Sequence, residues 1–256
     1  ISAAIFLALL HSSQGLMSQT SCDTVKINAA LALASELLDG GEIQPAIDAA
    51  ILIQNDIVHC PTADSAFRER VLLQSADFYQ AAASELRYRG MINQSIHMAE
   101  RCVALYRQLP GNYADALADT YLDLSNAYAL NDNRKLAVEQ AITGLKIRQA
   151  AYPSSPKIAS HYDRIVGNYI AMGNTKDARF YLDEWDSFQR RQGSKATLQA
   201  RVALSTGWAM YYYEKGDVRH AIQVLEDTLA RYGEPLWAKG VMAGGLVGIA
   251  EFNLSE

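Results

Sequence analysis

The chain has 256 residues, of which 50% are hydrophobic and 20% charged, which excludes disorder as its main state and allows a sizeable buried core. Only 6 Pro and 16 Gly are spread over that length, a composition suited to long helices joined by short turns. The formal charge of -5 gives no footprint for nucleic acid, whose backbone is bound by clustered Lys and Arg.

Ile1 to Leu10 form a ten-residue apolar run, followed by the small and polar segment His11 to Gly15. The run is too short to span a bilayer. It reads as the centre of a secretory signal peptide, with Ser13-Gln14-Gly15 supplying the small residues of a cleavage site near Gly15. The competing reading is a buried N-terminal helix. The missing initiator Met and basic leader suggest that the given sequence begins inside its natural start. A lipoprotein motif does not fit, because Gln19-Thr20-Ser21 before Cys22 lacks the required apolar residue. Residues 1-15 are therefore expected to be a signal remnant, and the rest to act outside the cytoplasm, in the periplasm or tethered to a membrane facing it.

From there one motif returns five times. A turn, usually begun by Gly, is followed five residues later by a small residue and then usually an aliphatic one. In chain order the copies are Gly41-Glu-Ile-Gln-Pro-Ala46-Ile47, Gly90-Met-Ile-Asn-Gln-Ser95-Ile96, Asp132-Asn-Arg-Lys-Leu-Ala137-Val138, Gly173-Asn-Thr-Lys-Asp-Ala178-Arg179 and Gly216-Asp-Val-Arg-His-Ala221-Ile222. Their starts lie 49, 42, 41 and 43 residues apart, so one supersecondary unit is being reused. Gly, Asn or Asp can close a helix in the left-handed conformation, and a following Asp or Asn can cap the next helix. The small residue is needed where the second helix crosses the first closely. Large residues recur at helical spacing on either side, as in Tyr121, Leu124, Tyr128 and Tyr162, Ile165, Tyr169 before the turn. Val138, Ala141, Leu145 and Ile222, Leu225, Leu229 do the same after it. A lone hairpin cannot bury both stripes, whereas stacked hairpins can.

These residues resemble the tetratricopeptide repeat family, whose 34-residue unit places an aromatic, a Leu-Gly pair and a Tyr before the turn and an Ala after it. The third to fifth copies are closer to the longer, roughly 42-residue variety of kinesin light chains, with a link such as Leu145-Lys-Ile-Arg-Gln-Ala-Ala-Tyr-Pro153. The copies depart from the pattern where the Gly after Leu is absent, where the third turn lacks its Gly and where Arg179 replaces an aliphatic residue. The fold expected is all-α, a right-handed solenoid of stacked helix-turn-helix hairpins over 16-256. Hairpins are expected at about 23-60, 63-109, 112-151, 156-192 and 195-232, with an incomplete sixth at 235-256 in which Trp237 to Leu254 supply the first helix.

Catalytic patterns are not found. The His residues at 11, 59, 97, 161 and 220 show no metal spacing and read as satisfied or solvated surface groups. No phosphate loop, nucleophile elbow or dinucleotide fingerprint occurs, so neither a metal nor a cofactor is expected. In the hairpin arrangement Cys22 precedes the first helix of the first hairpin and Cys60 follows its second. A Cys22–Cys60 disulfide is the expectation, worth about 4 kcal/mol for a loop of that length in the chain-entropy model. Cys102 falls at a small-residue core position and reads as a buried thiol.

The resemblance implies that a protein or peptide partner binds the concave face lined by the first helix of each hairpin. Projecting outward positions gives Asp77, Gln80, Ser84 and Arg87, then Asp119, Leu122 and Asn126. The fourth copy gives Ser160, Asp163 and Gly167, and the fifth Thr206, Met210 and Tyr213. The set is polar and slightly acidic, suited to bonding an extended backbone, and carries too few cations for a carboxylate clamp. Trp208, Tyr211 and Tyr212 read as packing between hairpins. Two further readings compete with a free-standing scaffold: the extracytoplasmic sensor region of a membrane-bound diguanylate cyclase or histidine kinase with its catalytic domain beyond 256, and a cytosolic adaptor.

Overall fold

The computed structural model describes residues 24–58, 64–109 and 111–232. The expected signal segment, Cys22, Cys60 and the sixth hairpin lie outside the described residues. Among those described, the chain is all-α, with no strand. The helices are α1 (Thr24–Asp39), α2 (Ile43–Val58), α3 (Ser65–Tyr88), α4 (Ile92–Tyr106), α5 (Ala114–Leu130), α6 (Arg134–Ala151), α7 (Ile158–Ala171), α8 (Thr175–Gln192), α9 (Leu198–Glu214) and α10 (Val218–Tyr232), with a 3-10 turn at Gly193–Lys195. They alternate as first and second helices of hairpins. The chain divides into two compact units, Ile1–Thr120 and Tyr121–Glu256.

All five turns use one hydrogen-bond arrangement. The left-handed residue donates its N–H to the carbonyl three residues back, and the next residue donates to the carbonyl five back. Gly41 thus reaches Leu38 and Glu42 reaches Leu37 (3.0 and 2.8 Å), and likewise Gly216 reaches Tyr213 and Asp217 reaches Tyr212 (2.8 and 2.9 Å). These Schellman closures satisfy carbonyls that a helix end otherwise leaves orphaned. The third turn, without glycine, adopts the same geometry, with Asp132 at φ 57° and its N–H on Ala129. A side chain in that conformation costs about 1–2 kcal/mol, and glycine gives back roughly 0.4–1 kcal/mol in unfolded-chain entropy. Asp132→Gly should therefore stabilise by about 0.5–1 kcal/mol, read as a higher urea midpoint at unchanged slope.

Next to the turns, Asn133, Asn174 and Asp217 cap the second helices by accepting from the N–H groups of Leu136, Asp177 and His220 at 3.2–3.3 Å. Met91 occupies the same place in the second copy without a side-chain cap bond. The small residues Ala46, Ala137, Ala178 and Ala221 are 0% exposed and Ser95 2%. Ser95 keeps its hydroxyl satisfied by donating to the Ala83 carbonyl of the paired helix at 2.7 Å.

In the first unit the core joins Ile27, Ala30 and Leu31 of α1 to Ile53 and Ile57 of α2 and Val71 of α3. In the second, Leu145 of α6, Tyr162 and Ile165 of α7, Leu182, Trp185 and Phe188 of α8 and Leu204 of α9 form one cluster. Gly207 of α9 faces it, and a Cβ there would lie 3.1 Å from Leu182 Cδ2, so glycine lets α9 approach the preceding hairpin. Arg179, out of pattern in the sequence, lays its guanidinium over the Trp208 ring at 4.7 Å and bonds Asp183 at 2.9 Å. The cation covers the aromatic ring where an aliphatic side chain would otherwise pack. Trp208 and Tyr211 pack against this cluster, and Tyr212 packs against Val202, Ala209, Ala221 and Leu225.

One expectation is corrected. His161 is not a surface group: it is 0% exposed and accepts at Nε2 from Arg148 Nε, 3.3 Å away and itself 0% exposed.

Candidate functional site

Each unit contains a cleft between successive first helices. The first, about 460 Å³, lies between α1 and α3 and is lined by Asn28, Leu31, Ala32, Ser35, Leu38, Asp39, Gln74, Asp77, Phe78 and Ala81. Leu31 and Phe78 are buried and give it an apolar floor, while Asn28, Ser35, Asp39, Gln74 and Asp77 are exposed along it. The second, about 270 Å³, lies between α7 and α9 with Trp185 of α8 in its wall, and includes Lys157, Ser160, Asp163, Thr197 and Gln199. Clefts arise here because two neighbouring first helices face each other through small side chains, Ala32 and Ala81 in one case and Ala159, Ala200 and Ala203 in the other.

Of the residues projected from the sequence, Asp77 lines the first cleft, and Ser160 and Asp163 line the second. Gln80, Ser84 and Arg87, half-buried on α3, line neither cleft, and the same is true of the half-buried Asp119, Leu122 and Asn126 of α5. A Cβ on Gly167 would meet open space. Thr206 turns its hydroxyl onto the Val202 carbonyl of its own helix at 3.0 Å, and Met210 and Tyr213 are exposed. The sequence projection began at the second copy and so missed α1. The register that selects Asp77, thirteen residues before its turn glycine, selects Asn28 in the first copy.

The electrostatics of the two clefts differ. Asp77 Oδ1 accepts from the Tyr106 hydroxyl at 2.9 Å, and burial together with this bond pushes the Tyr106 phenol far up. Asp163 is open to its cleft yet ringed by protein, and the lost hydration raises its carboxyl above the usual range against the pull of Arg164. Among the buried polar atoms of the second unit without a hydrogen-bond partner are Asn126 Oδ1 and Trp185 Nε1. Cys102 is buried and its Sγ donates to the Ala76 carbonyl at 3.2 Å. Among the described residues no three His, Cys, Asp or Glu gather as a metal site, and no helix is long and apolar enough to cross a membrane.

No family model matches the sequence, and no curated protein matches it. Solved structures do. A putative kinesin light chain from Podosopora anserina with nearly identical TPR-like repeats is 20% identical, with a TM-score of 0.51 over 81% of this chain and 95% of that one. BtubC (BKLC) from P. vanneervenii is 12% identical, with a TM-score of 0.56 over 94% and 90%. Aspartyl phosphate phosphatase F from Bacillus subtilis is 13% identical, with a TM-score of 0.56 over 98% of this chain and 65% of that one. At such identities the likeness shows the fold, a helical repeat of TPR-like hairpins.

Proposed function

We propose that the chain is a non-catalytic scaffold that binds a protein or peptide along its first-helix face and works outside the cytoplasm. The observation that carries this reading is the pair of clefts between successive first helices, each with polar side chains above an apolar floor or wall. Such a surface offers hydrogen-bond partners to an extended main chain and pockets to its side chains. Export is supported by the apolar run Ile1 to Leu10 and the small residues after it. A photo-crosslinking amino acid placed at Gln74 or Ser160 should capture a partner from the host, while one at the exposed Glu139 of α6 should not. Equal capture at all three positions, or none at the cleft positions, would overturn the reading.

A further inference from the structure

We infer that the first cleft selects peptides carrying a basic side chain, with Lys or Arg set beside Asp39 and Asp77 and apolar neighbours laid over Leu31, Leu38 and Phe78. The inference rests on the scaffold reading above and names the chemistry of its partner. Charge complementarity carries it. The ten residues lining the cleft include two carboxylates and neither Lys nor Arg. Asp77 uses Oδ1 for the Tyr106 hydroxyl, and a carboxylate has about four lone-pair sites, so acceptor capacity remains towards the cleft.

Asp39 is the last residue of α1, a helix with no basic residue in its last turn. A carboxylate there adds to the negative end of the helix dipole, and Arg89, which donates to the Gly41 carbonyl at that end, is shared with Glu85 at 2.7 Å. Arg70 donates to Asn28 Oδ1 at 3.4 Å and Arg89 to the Gly41 carbonyl at 3.3 Å, so these two cations stand at the two ends of α1, outside the residues that line the cleft. Asn28 and Asp39 are separated by about 16 Å at 1.5 Å per helical residue. The second cleft lacks this bias, since Lys157 accompanies Asp163.

Selection of displayed random dodecapeptides on the whole chain tests the idea. Enrichment of Lys and Arg over Asp and Glu is expected. Asp39→Asn or Asp77→Asn should weaken the selected peptides about two- to fivefold, and added salt should weaken them further. Asp48→Asn, which removes a charge from the exposed face of α2, should leave affinity unchanged. Selected peptides that are acidic or neutral, or that are indifferent to both cleft variants, would overturn the inference while leaving the scaffold reading intact. Selection of no peptide at all would sink both. Circular dichroism of each variant confirms that the comparison is between folded chains.

Discussion

Trp185→Ala should cost the second unit about 3–5 kcal/mol, enough to remove much of the stability of an ordinary domain. Trp185 is 0% exposed, lies stacked near Tyr162 (centroids 6.3 Å apart, planes at 12°) and belongs to the cluster that joins α6, α7, α8 and α9. Its benzo edge lies where a Cβ on Gly207 would come within 3.6 Å of Cζ3, so the ring fills space between hairpins as well as within one. Truncation would leave a cavity lined by Tyr162, Phe188 and Leu182 that stacked helices cannot collapse without moving α9. Trp185→Phe is the informative companion. The indole N–H is buried with no acceptor, a state that costs about 1–3 kcal/mol. Phenylalanine discards that orphan donor while retaining most of the apolar area, and should fall within about 1 kcal/mol of the native chain. Urea unfolding followed by far-UV circular dichroism reads both. A loss below about 1 kcal/mol for the alanine variant would contradict the packing described.

The hairpins were legible in the sequence because their determinants are local. A residue able to turn left-handed, a capping residue and a small residue sit within seven positions of one another, and each has its own steric or hydrogen-bonding reason. Asp132 shows how far this reaches, since it could be aligned with four glycines before its φ was known. The clefts were only half legible. Helical spacing identifies which side of a helix faces outward, as it did for Asp77, Ser160 and Asp163, but a cleft also needs the gap between two helices. That gap depends on alanines of a different hairpin, and Trp185 enters the wall of the second cleft from α8, a second helix, which no first-helix projection can find. Arg179 looked like a defect of the motif because its stacking partner Trp208 lies in the next hairpin. His161 was misplaced for the same kind of reason: Arg148 is thirteen residues away across a link containing two prolines, and no spacing rule connects them.

That buried pair gives the other large expected effect. His161→Leu should destabilise the second unit by about 3 kcal/mol, because it takes an acceptor from a guanidinium that is fully buried. Arginine can only donate, so the Nε2 it meets carries no proton and the imidazole acts as an acceptor there. The pair belongs to a polar seam between α6 and α7. Gln149 Nε2 donates to the Tyr162 hydroxyl at 3.0 Å, and Arg134 Nη1 donates to Asn168 Oδ1 at 3.2 Å. Three side chains of a second helix thus reach the first helix of the following hairpin, and they fix the register in which the two stack. Arg148→Met keeps the length of the apolar stem and removes the charge, so it should cost less than His161→Leu, about 1–3 kcal/mol. If the two residues act as a unit, Arg148→Met combined with His161→Leu will cost less than the sum of the single changes, with a coupling of about 1–3 kcal/mol. A double-mutant cycle from urea midpoints measures this directly. Strict additivity would mean that each residue is held by its own surroundings, and the register of α6 on α7 would then rest on the Gln149–Tyr162 and Arg134–Asn168 bonds and on the apolar contacts of Ala141 and Leu145 with the α7 core.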